Sequence, residues 1–183
     1  MDKKGGENVN ISFETEYNQK SMTAMARALR KTVRKKKSHR SHIYGGLVIA
    51  LALLLSCWSV DSGFSIKLEM RTIINAIIIA ILIVVLIWED AINGCFARRR
   101  LLPGTEKTRV VFKESEFVSS TDIGTSTFYY DKIEIIAEST DYFVFIFSIS
   151  HAQVYDKKNI SGVTLQEFRD FMEQVTGKYI VKV

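Results

Sequence analysis

The chain holds two cysteines, three histidines and one proline in 183 residues. Cys57 and Cys95 lie near opposite ends of two apolar runs. If both runs cross a bilayer core of roughly 30 Å, no disulfide can join them. Nothing then points to an oxidising compartment. No Cys/His spacing resembles a metal site. No glycine-rich phosphate loop is present, since GTEKTR and IGTST lack the required pattern. His39 and His42 fall in a basic segment, and His151 opens a strand-like run near Ser148 and Ser150. One histidine among serines does not make a nucleophile, a base and an orienting group. The sequence therefore reads as non-enzymatic, with no catalytic, cofactor-binding or metal residues assigned.

What the chain does have is uneven charge and two long apolar runs. Residues 1–104 carry sixteen Lys/Arg and eight Asp/Glu, a net of +8, whereas residues 105–183 carry nine and twelve, a net of −3. The basic character belongs to the front half alone. Ile43 to Val60 is eighteen residues without a charge, close to the length of a transmembrane helix. Ile73 to Trp88 is sixteen residues, almost all apolar and without amphipathic period. Tilt and the flanking Met70, Ala91 and Ile92 make up the length. Trp58, Trp88 and Tyr44 sit at the run ends, where aromatic rings favour the headgroup level. A cleaved signal peptide fits less well, because some forty residues precede the first run.

Two transmembrane helices are expected on this basis. Arg27, Arg30, Lys31, Arg34, Lys35, Lys36, Lys37 and Arg40 precede the first run, and Arg98, Arg99 and Arg100 follow the second. The loop between holds only Lys67 and Arg71. The positive-inside bias then places both termini of a multi-pass protein in the cytoplasm. These eleven flanking cations are the candidate contacts with anionic lipid, at about 1 kcal/mol each. A nucleic-acid role for RKTVRKKK is the weaker reading beside an apolar run, and none is assigned. Met22, Met25, Ala26, Leu29 and Val33 recur at helical spacing. That helix either lies on the membrane or packs on the cytoplasmic domain. Alternation in VNISFETEY suggests a short strand before it. Glu89 and Asp90, at the end of the second run, are expected to pair with Arg98–Arg100 or with the basic lead-in.

Pro103-Gly104 marks a break. TRVVFK, EFVSS, TSTFYY, KIEIIAES, DYFVFIFS and HAQVYD follow, short runs rich in β-branched and aromatic residues that read as antiparallel strands. TLQE carries capping-box spacing at Thr164 and Glu167. Leu165, Phe168, Phe171, Met172 and Val175 form one apolar helix face, Gly177 a stop, and YIVKV a terminal strand. Phe112, Phe117, Phe128, Ile133, Ile135, Phe143, Phe145 and Phe147 are the expected core. The expected organisation is a lead-in at 1–41, spans at 42–60 and 73–100 around a loop at 61–72, and a cytoplasmic domain at 105–183. In fold class this is an α+β membrane protein: a transmembrane α-helical hairpin plus a small antiparallel β-barrel with a C-terminal helix.

Tyr129-Tyr130-Asp131-Lys132-Ile133, Ile136-Ala137-Glu138 and Asp141-Tyr142-Phe143 follow two apolar runs and a basic lead-in. Together they resemble the YcxB-like family of bacterial membrane proteins. Asp156-Lys157-Lys158 and Glu167-Phe168 continue the pattern, without the family's proline before the lysine. The resemblance implies a pleckstrin-homology-like (PH-like) domain after two transmembrane helices of a bacterial inner-membrane protein, and is silent on chemistry. The preferred function is presentation of that domain to an unknown protein partner, with Tyr130, Tyr142 and Lys157 as candidate partner-binding residues. The alternative is an immunity protein that neutralises a membrane-acting toxin or bacteriocin. Membrane lipids are the other expected partner, and homo-oligomerisation is left open.

Overall fold

The computed structural model describes residues 11–59, 63–64 and 70–183, without the side chains of 57–59, 63–64 and 71. Most of the expected loop at 61–72, the ring of Trp58 and the Cys57–Cys95 separation lie outside the described residues. The chain begins with β1 (Ile11–Glu16), α1 (Gln19–Lys31) and α2 (Lys35–Cys57). A two-residue hairpin, β2 (Trp58–Ser59) and β3 (Gly63–Phe64), leads to α3 (Met70–Ile87) and α4 (Glu89–Arg99). Then come β4 (Lys107–Phe112), β5 (Glu116–Thr121), β6 (Gly124–Tyr129), β7 (Ile135–Glu138), β8 (Tyr142–Ile146) and β9 (Ala152–Asp156). The chain closes with β10 (Ile160–Ser161), α5 (Leu165–Thr176) and β11 (Ile180–Lys182).

Two facing sheets carry the core. One runs β10-β1-β4-β5-β6, antiparallel throughout; the other runs β11-β7-β8-β9, with β11 parallel to β7. The lead-in strand is thus not peripheral. Six residues of β1 pair with β4, from Ile11↔Phe112 to Glu16↔Lys107. The inward side chains of β1 and β4 meet those of β8 and α5 in one aromatic cluster. Phe13, Phe112, Phe117, Phe143, Phe145, Tyr155 and Phe168 are all fully buried. Their ring pairs are mostly edge-to-face, as between Phe13 and Phe168 at 4.8 Å, an arrangement set by the ring quadrupole. The capping box at α5 forms as its sequence spacing suggests: Glu167 N donates to Thr164 Oγ at 3.2 Å, and Thr164 N donates to Glu167 Oε2 at 2.7 Å. Gly177 ends the helix at φ 64°, a left-handed turn that suits glycine.

The expected membrane architecture is not what forms. No single helix among the described residues is long and apolar enough to cross a membrane. Helix α2 begins at Lys35, so its 23 residues include Lys35, Lys36, Lys37 and Arg40 beside the apolar run. Only Thr72–Ile87 together with Glu89–Arg99 reaches the needed length and apolarity, and that pair bends by 77° at Trp88. Among the described residues the structure is an α+β fold of two packed sheets, one of them mixed, with five α-helices and the small β2-β3 hairpin. It stands in place of both the transmembrane hairpin and the small antiparallel barrel that were expected, and a multi-pass inner-membrane location is not supported. Helices α2 and α3 do run antiparallel: Asn75 Nδ2 donates to Ser56 Oγ at 3.0 Å near one end, and Gly45 lies against Leu86 near the other. Their leucine and isoleucine side chains are largely exposed.

Helix α1 joins these parts. Asn18 caps it, its side chain accepting from the backbone of Lys20 and Ser21, and Arg30 and Lys31 complement the dipole at its end. Ala28 and Leu29 pack on the outer face of the second sheet, against Ala137, Val144, Ile146 and Val154. The opposite side meets α4 at Gly94, where an added Cβ would lie 2.7 Å from the backbone nitrogen of Thr23. A main-chain atom cannot move aside cheaply. Gly94→Ala should therefore destabilise the fold by about 1–3 kcal/mol through overpacking. Gly46 has nothing within 4 Å of its Cβ position, so Gly46→Ala should be neutral or stabilising by about 0.5–1 kcal/mol. Urea unfolding of both variants checks this; equal effects would remove the assigned role of Gly94.

Candidate functional site

The three side chains expected to meet a partner face inward or sideways. Tyr130 is in the core, its hydroxyl donating to Lys113 O at 2.6 Å, and burial pushes its pKa well up. Tyr142 is half-buried on β8 against the second apolar cluster. Lys157 has a side chain only 10% exposed. Its Nζ lies 2.5 Å from Glu138 Oε1 and 4.9 Å from the centre of the Phe143 ring. Arg169 from α5 reaches the same carboxylate, with Nη2 2.7 Å from Oε1 and Nε 3.1 Å from Oε2. Burial raises the pKa of Glu138, but Arg169 and Lys157 together outweigh it and hold the group below its ordinary 4.5. Lys157 thus serves a clamp between β7, the turn after β9, and α5.

The basic residues divide in two. Arg30 makes a bidentate pair with Asp90, at 2.6 and 2.7 Å, and Arg27 lies 3.5 Å from the same carboxylate. Arg34 donates to Ile149 O at 2.7 Å. The partner of Asp90 is therefore the lead-in, not Arg98–Arg100. Lys31, Lys35, Lys36, Lys37, Arg40, Arg98, Arg99 and Arg100 are exposed.

One surface stands out that the sequence reading missed. Strand β6, GTSTFY, pairs with β5 along one side only and is mostly exposed. It has no charge and no proline, the usual devices that keep a free edge from recruiting another strand. The other ends are better guarded. β10 has two residues, and β11 has three, flanked by Lys178 and including Lys182. β9 lies close to α1 and β1. Beside β6 is a cleft of about 450 Å³ reaching toward β9. On the inner face, Phe117 opposes Phe128 and Ser119 opposes Ser126. The lining thus passes from an aromatic floor to hydroxyl groups: Thr108 and Ser119 are hydrogen-bonded at 2.9 Å. Burial raises the pKa of Tyr17 to about 12, although a hydrogen bond with Thr108 lowers it in part. The signal was present as an uncharged GTSTFY, but an edge is legible only when its neighbours are known.

His151 lies at the cleft's rim, its ring 5.3 Å from that of Phe147. Ser148 accepts from the backbone nitrogen of His151, not from its imidazole. Among the described residues no group of three His, Cys, Asp or Glu could hold a metal ion.

The clamp at Glu138 yields a test. Glu138→Gln leaves two cations without their carboxylate and should cost about 3–5 kcal/mol in urea unfolding. The folded pKa lies below the unfolded 4.5. The ionic contribution is therefore complete above that value and is lost as pH falls through the folded pKa. The wild type should lose stability more steeply than Glu138→Gln below that pH; parallel curves would argue against the clamp. In comparisons with known proteins, no family model, no curated protein and no solved structure matches the chain.

Proposed function

We propose that the protein is a non-catalytic interaction module that receives an extended segment of a protein partner along β6. The single observation behind this is the undefended edge of a well-packed sheet, six residues long and without charge. Its free N–H and C=O groups can form a ladder with an added strand, which supplies affinity whatever the side chains. Specificity then falls to alternate side chains of the incoming strand, which would enter the cleft. Phe128 suits one aromatic or aliphatic group, and the hydroxyls of Thr108, Ser119 and Ser126 suit a short polar one. The segment received is accordingly uncharged, extended and β-branched or aromatic in character. The resemblance to the YcxB-like family belongs to this reading, since what it implies is a domain without chemistry of its own.

Photoreactive side chains at Thr125 and Thr127 in intact cells test the proposal. Both positions should crosslink the same protein, and Ser126→Lys should abolish the adduct by placing a charge on the edge. Ser126 is exposed, so that substitution should change stability by no more than about 0.5 kcal/mol. Adducts scattered over many proteins, or a single adduct indifferent to Ser126→Lys, would exclude β6 as the docking edge.

A further inference from the structure

A cavity of about 680 Å³ lies where α1 turns into α2, against the end of β11. The turn is short: Arg34 N donates to Leu29 O at 2.9 Å, and Lys35 N to Thr32 O at 3.2 Å. It brings the last residue of α1, Lys31, close to the first turn of α2. Lys182 arrives from far along the chain. The register Val181↔Ala137, followed by Val183 N donating to Glu138 O at 2.9 Å, holds it there. Arg30, Lys31, Lys35, His39, His42 and Lys182 all line the cavity, and none of its lining side chains is acidic.

We infer that this cavity binds a phosphate-bearing anion, with Lys31, Lys35 and Lys182 as its charged contacts. The nearby side-chain carboxylates are already engaged, and the main-chain carboxylate of Val183, which also lines the cavity, is in no ion pair with these lysines among the described residues. Asp90 is held by Arg30, and Glu89 accepts from Ser38 Oγ at 3.0 Å with His42 Nε2 3.8 Å away. Lys31, Lys35 and Lys182 have no ion pair among the described residues. The placement of charge also runs against helix stability. The first turn of α2 contains Lys35, Lys36 and Lys37 and no acidic residue, whereas the positive end of a helix dipole favours anions. Lys35 opposes that dipole, and with Lys31 and Lys182 beside it makes a cluster of like charges that an anion relieves. A carboxylate brings one charge and two oxygens. A phosphate monoester brings nearly two charges and three acceptor oxygens, enough for lysines arriving from three elements. The source is either a lipid headgroup or a free phosphorylated compound. The inference is independent of the β6 reading.

The test uses the full chain, with inorganic pyrophosphate as the calorimetric probe. Phosphatidylcholine vesicles with and without phosphatidic acid provide a flotation assay. Lys31→Glu/Lys35→Glu and the milder Lys182→Gln remove contacts; Lys158→Gln, exposed on the turn after β9, is the control. Wild type and Lys158→Gln should bind pyrophosphate equally, the other two at least about tenfold more weakly, with affinity falling as salt is raised. Flotation that needs phosphatidic acid and the same lysines identifies a headgroup. Lysine-dependent pyrophosphate binding without such flotation identifies a free phosphate compound. Pyrophosphate binding that ignores the three lysines overturns the site, as does the absence of lysine-dependent binding in both assays.

Discussion

Helix α1 is gripped on two sides, and the rest of the chain is arranged around that grip. One face gives Ala28 and Leu29 to the outer surface of the second sheet. The other meets α4 so closely at Gly94 that no side chain fits between the backbones. Across that contact Arg30 and Asp90 form a two-pronged ion pair, with the Asp90 side chain 12% exposed. A planar guanidinium matches a carboxylate in one orientation only, so the pair sets register as well as attraction. Gln19 adds a hydrogen bond to Ala91 O at 2.9 Å. The helical front half is thereby fastened to the β-rich back half, although Arg30 and Asp90 are sixty residues apart in sequence.

The interior of the β-rich part depends on a different kind of fit. Aromatic rings from both sheets and from α5 fill it, and β1 contributes Ile11 and Phe13 from the start of the described chain. Without β1, β4 would lose the strand beside it, and Phe168 would lose its nearest ring partner at 4.8 Å. Glu138 does for α5 what Asp90 does for α1. It is a largely buried carboxylate, answered by cations from two other elements, and both pairs bind helices to a framework that apolar contacts alone would locate less sharply. Both proposed sites lie at the margins of this framework: a bare strand edge at one end of the first sheet, and a basic recess where the helical layer meets the second.

Much of the local structure was legible. Alternation marked β1, runs of β-branched and aromatic residues marked the later strands, and TLQE and Gly177 marked the bounds of α5, because capping and turn chemistry act within a few residues. Phe112, Phe117, Ile133, Phe143 and Phe145 proved fully buried; Phe128, Ile135 and Phe147 pack only partly against the clusters. The candidate site was much less legible. Tyr130 and Lys157 looked like surface residues because tyrosine and lysine usually are, yet one is a core ring with a tethered hydroxyl and the other a clamped ion. Burial belongs to a residue's neighbours and not to its type.

The two apolar runs carry the clearest lesson. Composition alone made each a membrane span, but composition does not set where a helix starts, where it bends or what flanks it. Those were decided by the lysine turn included in α2 and by the 77° bend at Trp88. By itself the sequence determined which segments are strands or helices and which of their faces are apolar, since backbone preference and hydrophobic period are local. Tertiary structure alone decided that β1 lies between β10 and β4, that Arg30 answers Asp90, and that one edge of β6 stays unpaired. Each of these joins residues far apart in the chain, and such contacts depend on the shape of the whole fold.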